Sequence, residues 1–305
     1  MSISLREGAA AAPVRIRMPV GAAADLLPRM RELRGRTVVI KIGGHVMTRP
    51  RLTRAFAQDV TALRYAGLRP VVVHGGGPQI DAHLKLLGLV PEFRAGLRVT
   101  TGRTMDVVRM VLVGQVQRSL VGLLNEFAPI ALGLTGEDVR LMTAVRRDAD
   151  DDGRSIDIGF VGDVVDVNEE LLVQLLDSGL VPVISGIAAG KDGQVYNINA
   201  DTAAAALAAA LGADRLTVLT DVDGVYADWP DPLTVVRRLT VTEARRLGPD
   251  LSEGMRPKLL GCLRAVAAGV GVAHIINGGE EHALLSSLLD NGSMGTTLVP
   301  DSAPA

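Results

Sequence analysis

Val71-Val72-Val73-His74-Gly75-Gly76-Gly77-Pro78 is the stretch that decides the fold. A β-branched run ends in three glycines, and a proline suited to a first helical turn follows. Upstream, a second run, Thr37 to Ile42, closes on Lys41-Ile42-Gly43-Gly44. Each reads as a strand opening into a glycine turn. Only glycine lets backbone N–H groups approach an anion with no side chain in the way. Lys41 adds a positive charge beside the first turn. This is equipment for handling phosphate, whose transfer depends on positioning and charge neutralisation. A glycine triplet taken alone fits a tight strand-to-helix turn equally well.

Outward from these two strands, the periodicity predicts helices over 22–33, 54–66, 78–87, 107–127, 202–211, 258–268 and 282–289. Further strands are expected over 180–184, 216–220 and 274–276. Strands alternating with helices predict an α/β fold: a three-layer αβα sandwich around a mainly parallel open sheet. Sites in such sheets lie at the carboxyl ends of strands, where both glycine turns fall. The 202–211 helix is almost pure alanine, which suits close packing on a sheet, and Asp201 reads as its N-cap. The acidic run Asp148, Asp150, Asp151 and Asp152 reads as a solvated hairpin loop, since nothing fixes a cation geometry there.

Composition narrows the function. A chain of 305 residues accommodates one large α/β domain or two lobes sharing a sheet. Apolar residues at 48% supply a core, but aromatics at 3% argue against stacking on bases as a main mode of recognition. A net charge of −2 argues against a nucleic-acid partner. The single cysteine, Cys262, excludes an internal disulfide and a cysteine-rich zinc site, and is expected as a buried thiol. No uninterrupted apolar run reaches membrane-spanning length, and the first residues lack a secretory signal. The expectation is a cytoplasmic protein without a membrane partner, led by a flexible segment over 1–21.

The Walker pattern is absent, and so is a dinucleotide fingerprint after a strand. Other charged groups stand at suggestive places. Asn197-Ile198-Asn199-Ala200-Asp201 leads into a helix, Asp221 and Asp223 flank a turn after a strand, and Gly254-Met255-Arg256-Pro257-Lys258 opens another helix. Two lysines and a carboxylate converging on a glycine-lined cleft would neutralise both ends of a transferring phosphoryl group. Each has an ordinary reading beside this one. Asp201 serves as a cap, Lys258 as an exposed first-turn lysine, Arg98 as a surface arginine, Asp223 as a turn former, and His74 as a satisfied histidine.

Six segments together resemble the amino-acid kinase family. They are 38–44, 74–80, 96–100, 196–201, 219–225 and 254–258, and the likeness runs from about Ala22 to Val299. Within the family they resemble the members that phosphorylate N-acetyl-L-glutamate. That resemblance implies transfer of the ATP γ-phosphate to the side-chain carboxylate of N-acetyl-L-glutamate, in arginine biosynthesis. It implies Lys41, Lys258 and Asp201 as catalytic residues. Gly76, Gly77, Arg98 and Asn197 would hold the acceptor, with Arg98 on its α-carboxylate. Gly43, Gly44, Thr220, Asp221 and Asp223 would hold the nucleotide. Mg2+ would be carried largely by phosphates and water, with no protein metal cage. The domain would span 36–305, with an acceptor lobe over 36–190 and a nucleotide lobe over 191–305.

The 22–33 helix resembles the extension through which some members interlace dimers into a hexamer, so a homodimer or homohexamer is implied, with a nitrogen-signalling protein as a further partner. Departures from the family pattern also stand out. Glu137-Asp138-Val139 replaces lysine-aspartate-glycine, Ala128-Pro129 a glycine pair, Glu253 a glycine and Arg256 an apolar residue. At the inhibitor site, Ser287 replaces a glutamate, Ser293 a glycine and Gly278-Gly279 a glycine-arginine pair, which implies weak or absent feedback by arginine. Two alternatives stay open: a kinase for a carrier-bound aminoadipate, and a catalytically weak ligand-binding regulator on the same fold.

Overall fold

The computed structural model describes residues 28, 30–248, 251–252, 254–289 and 294–303. The 1–21 segment, most of the 22–33 helix, Glu253 and Ser293 lie outside the described residues; 30–33 are helical, and Leu33 is buried.

Eight strands make one sheet. Residues up to 185 supply β1 (Thr37–Ile42), β2 (Arg69–His74), β5 (Ala131–Thr135) and β8 (Val181–Ser185). Residues beyond 200 supply β11 (Arg215–Thr220), β12 (Arg238–Thr240), β13 (Val272–Asn277) and β14 (Thr296–Val299). Their spatial order is β12-β14-β13-β11-β1-β2-β8-β5, and the two sets meet at the β1–β11 ladder. Every neighbouring pair is parallel except β13 with β14.

β1 shows why the sheet has a helical layer on each face. Side chains alternate along a strand. Val39 joins a core with Ala203, Ala204 and Leu207 of the alanine-rich helix Ala200–Ala210. Val38, Ile40 and Ile42 join another core with Phe56, Val60 and Leu63 of the helix Pro50–Tyr65. Burial on both faces turns the strands into near-continuous apolar runs. Lys41 shares the parity of Val39, so it points to the alanine helix.

The helical stretch Gly102–Phe127 is one run of 26 residues, long and apolar enough by composition to cross a bilayer. It begins five residues before the expected start, because Thr101 Oγ1 accepts from Thr104 N at 3.3 Å and caps it. Here Val108, Val111, Leu120 and Leu124 are buried against protein. Met110–Gln117 is π-helical, and buried Gln117 donates through Nε2 to Leu134 O at 2.6 Å and Val183 O at 3.1 Å.

A small barrel departs from the simple alternation of strand and helix. β6 (Met142–Arg146), β7 (Val161–Val167), β9 (Ile187–Gly190) and β10 (Val195–Ile198) close on one another. A hairpin of β3 (Phe93–Arg94) and β4 (Leu97–Arg98) turns through Ala95 and Gly96, at φ 48 and 73. Two successive positive φ values match the twist of a tight hairpin.

The departure at 137–139 has a backbone consequence. Val139 sits at φ 51, ψ 30, in the left-handed region, at the position where the resemblance places glycine. That conformation costs a β-carbon-bearing residue about 1–2 kcal/mol. Val139 is exposed, so glycine removes the strain without opening a cavity. Val139→Gly is expected to stabilise by about 1 kcal/mol after its own entropic cost. A melt should show Tm up by roughly 2 °C; a fall in Tm would refute the strain.

Candidate active site

Three adjacent parallel strands, β11, β1 and β2, deliver the site. Their carboxyl ends carry Thr220-Asp221, Lys41 with Gly43-Gly44, and His74 with Gly75 to Gly77. Ile42 pairs in register with both His74 and Leu219, so the two glycine turns start at one level. The turns abut. A Cβ on Gly44 would lie 2.6 Å from Pro78 Cδ and 3.2 Å from Gly77 N, and one on Gly76 would lie 2.6 Å from Leu112 Cδ2. Gln79 Nε2 donates to Gly44 O at 3.2 Å and ties one turn to the other. Glycine here is a requirement of close packing, and it leaves backbone lining the cavity where side chains would otherwise project.

Every predicted site residue except Asp223 lines one cleft of about 270 Å³. Asp223 Oδ1 instead accepts from Asn277 Nδ2 at 2.7 Å, and its Oδ2 from the Tyr226 hydroxyl at 3.4 Å. It shapes the turn. Residues 137–139 do not line this cleft.

Lys41 and Asp201 form a buried ion pair, Nζ to Oδ1 at 2.9 Å, each side chain 7% exposed. Apart from this ion pair, Asp201 Oδ1 has no hydrogen-bond partner among the described residues. The reading of Asp201 as an N-cap is corrected. Asn199 caps the helix, its Oδ1 accepting from Asp201 N at 2.8 Å and Thr202 N at 3.2 Å. The cap therefore leaves the Asp201 carboxylate free to face Lys41. Gly261, on the Arg256–Ala267 helix, comes so near that a Cβ there would lie 3.0 Å from Asp201 O.

Lys258 projects from the first turn of the Arg256–Ala267 helix into the same cleft. Its ammonium donates to Gly254 O at 2.5 Å. Burial pushes its pKa below the usual lysine value and Lys41 pushes the same way, against the pull of Asp201 and Asp221. Partial burial raises the Asp221 carboxyl. Its own backbone N–H, the Thr220 hydroxyl and the charges of His45 and Lys258 together outweigh that and hold it below the usual range. The cleft thus concentrates positive charge between two walls of backbone.

On the other side, Arg98 is buried and aimed by three neighbours. Nη1 donates to Asp81 Oδ1 at 2.5 Å, Nη2 to Gly77 O at 3.4 Å, and the guanidinium lies 4.7 Å from the centre of the Phe93 ring. Asn197 on β10 donates through Nδ2 to Thr100 Oγ1 at 3.2 Å.

A second compartment of about 310 Å³ adjoins the cleft and shares His45, Thr220, Asp221 and Lys258 with it. Tyr226 and Trp229 line it, packed edge-to-face with ring centres 4.9 Å apart. The low aromatic content argued against stacking, yet the chain's only tryptophan stands here. Its place just past the Asp221–Gly224 turn was the available signal. His74 is satisfied on one side only. Nδ1 bonds Gly75 O at 2.9 Å, and Nε2 has no partner among the described residues. Cys262 is buried in the core as expected, and burial pushes its thiol well up.

The amino acid kinase family model matches residues 36–277. An acetylglutamate kinase from Acidothermus cellulolyticus is 58% identical over 280 residues, covering 90% of this chain and 95% of that one. An acetylglutamate kinase from Streptomyces coelicolor is 55% identical over 278 residues, covering 91% of each. Among solved structures, N-acetylglutamate synthase from Neisseria gonorrhoeae, complexed with coenzyme A and N-acetyl-glutamate, superposes with a TM-score of 0.81 at 25% identity. That likeness covers 93% of this chain but 64% of the synthase, so the chain spans less than two thirds of its length. Carbamate kinase from Giardia lamblia bound to AMP-PNP, at 18% identity and TM-score 0.65, covers 88% of this chain and 99% of its own and shares the fold. Matched over most of its length by the family's own model, the chain belongs to the amino acid kinase family.

Proposed function

We propose that this protein transfers the γ-phosphoryl group of ATP to the side-chain carboxylate of N-acetyl-L-glutamate, forming N-acetyl-L-glutamyl 5-phosphate in the second step of arginine biosynthesis. The observation that carries the reading is the Lys41–Asp201 pair facing Lys258 across a cleft walled by two abutting glycine turns. The names of the relatives above supply the acceptor.

A carboxylate oxygen attacks the γ-phosphorus, the bond from that phosphorus to the bridging oxygen breaks, and ADP leaves with the electron pair. The acceptor is already ionised at neutral pH, so no base is required. Lys41 meets the transferring group and Lys258 the charge developing toward ADP. Asp201 holds Lys41 in place. Arg98 takes the acceptor's α-carboxylate, Asn197 hydrogen-bonds the same molecule, and the nucleoside lies in the compartment of Tyr226 and Trp229. Mg2+ would be carried largely by the nucleotide's phosphates and water. On this reading residues 36–190 form the acceptor lobe and 191–305 the nucleotide lobe of a cytoplasmic enzyme. The reading extends to a dimer or hexamer assembled through the 22–33 helix, to a nitrogen-signalling partner, and to weak arginine feedback. Buried Ser287, which donates to Leu284 O at 2.8 Å, offers no carboxylate to a guanidinium.

The test is acyl-phosphate formation, trapped by hydroxylamine, with Mg-ATP and N-acetyl-L-glutamate, and with glutamate and N-acetylaspartate as controls. Selective product with N-acetyl-L-glutamate is expected. Arg98→Lys should raise KM for that acceptor roughly 10- to 100-fold, because a point charge replaces a fork. Equal product with all three acids, or none, would overturn the assignment.

A further inference from the structure

The acidic run is an exposed hairpin, as expected, closed by an antiparallel bridge between Ala149 and Ser155, but its side chains are not free. Residues 147–157 lie in the connection from β6 to β7, and this hairpin has an internal scaffold. Arg147 is buried at its base and donates to Ala149 O at 3.0 Å, Asp151 Oδ1 at 2.7 Å and Asp163 Oδ1 at 3.2 Å. Asp150 Oδ1 accepts from Asp152 N at 2.9 Å and Arg154 N at 2.8 Å. The scaffold presents two carboxylates outward, and both meet the Arg256–Ala267 helix. Asp152 accepts from both terminal guanidinium nitrogens of Arg256, Nη1 at 3.4 Å. Asp151 takes Arg264 Nη2 at 3.0 Å.

Arg256 and Arg264 lie about two turns apart on the helix, while Lys258 is about 200° around from Arg256. One side of the helix is therefore gripped by the hairpin, and the other presents Lys258 to the cleft. Ala95, in the turn that carries Arg98, borders the crevice where Asp152 meets Arg256. Arg94 of the same arm donates through Nη1 to Asp157 O at 3.0 Å, so the hairpin touches both the arm that carries Arg98 and the helix that bears the second lysine. Isolated exposed ion pairs contribute little to stability, but a network anchored on a buried arginine fixes geometry.

We propose that the 147–157 hairpin is an electrostatic clasp that sets the position of Lys258 by holding its helix, with Asp152 and Arg256 as positioning residues. This rests on the kinase reading above. Lys258 acts on charge that exists only in the transition state, so loosening the clasp lowers kcat and leaves KM for the acceptor in place.

The experiment compares Asp152→Asn, Arg256→Met and the exchanged pair Asp152→Arg with Arg256→Asp, using purified full-length protein. Each single variant should lose about ten-fold in kcat with KM for N-acetyl-L-glutamate within two-fold of wild type. The exchanged pair should regain most of the loss. Wild-type kcat should fall between 0.05 and 1 M NaCl more steeply than that of Arg256→Met, since salt screens the pairs. Arg146→Met, which breaks a pair with Asp157 in the same hairpin without touching the helix, should keep kcat within two-fold. Single variants with unchanged kcat, an exchanged pair no better than the singles, or an equal loss in Arg146→Met would each overturn the clasp. An inactive wild type would defeat the kinase reading alone. Hydrogen exchange at 256–264 would then decide the clasp: exchange at least ten-fold faster in Arg256→Met supports it, and unchanged exchange refutes it.

Discussion

Lys41→Met is expected to lower kcat roughly 10³-fold and also to destabilise the fold. The second effect follows from burial. Lys41 and Asp201 are each nearly inaccessible, and apart from Lys41 no partner meets Asp201 Oδ1 among the described residues. Removing the ammonium leaves a carboxylate in the interior, which costs roughly 3 kcal/mol, the low end for a broken buried pair because Lys258 still attracts Asp201. The variant should therefore melt early as well as fail to turn over. Lys41→Met combined with Asp201→Asn separates the two effects. The pair of changes removes both charges, so stability should return to within about 1 kcal/mol of wild type while activity stays absent. Urea melts and the hydroxylamine assay read the two effects independently. If the single variant keeps wild-type stability, the buried pair is wrong. If the double variant regains turnover, the catalytic role is wrong.

That pair also marks what the sequence can and cannot say. Lys41 was legible because a charge ending an apolar β-branched run beside Gly43-Gly44 has few structural uses. Asp201 was legible as a partner for the lysines; only its ordinary reading as the helix cap was wrong. Asn199 and Asp201 both stand at a helix start, and composition does not say which side chain folds back to cap. The answer depends on β1 lying next to β11 and on the alanine helix crossing the Val39–Lys41 face, contacts between residues far apart in sequence. The small barrel escaped for a related reason. β9 and β10 are four residues each, and β6 and β7 mix charged with apolar residues, so neither periodicity stood out. Trp229 was set aside through a composition average, although one well-placed ring is enough to line a base-sized compartment.

Acid should unfold this protein earlier than its carboxylates alone would demand, because two histidines are held neutral. His74 is lowered to about 4, first by burial, with Arg118 adding repulsion against the Gly75 carbonyl. His274 is lowered to about 3 by burial and then by Arg215. Their partners explain why neither ring accepts a proton. The Gly75 carbonyl can only accept, so His74 Nδ1 carries the hydrogen and Nε2 is bare, buried and without a partner among the described residues. Arg215 can only donate, so His274 Nδ1 is the acceptor at 3.0 Å and Nε2 donates to Thr297 Oγ1. A folded-state pKa below the unfolded value means that the unfolded chain binds more protons in between. Stability is then full above about pH 6.5 and falls as pH drops toward 4 for His74 and 3 for His274. By pH 4.5 each histidine accounts for a loss of roughly 2–3 kcal/mol. Asp59 works the other way. Burial raises its pKa despite the hydrogen bond from His282, so its contribution grows as pH falls and offsets part of the loss. Urea melts at pH 7 and pH 4.5 should therefore differ by about 4–5 kcal/mol. His274→Gln keeps one donor and one acceptor without a titrating proton, and should remove close to half of that difference. A wild-type difference below about 1 kcal/mol would show that both imidazoles are hydrated in the fold, and with that the packing behind the carboxyl end of β2 would have to be redrawn.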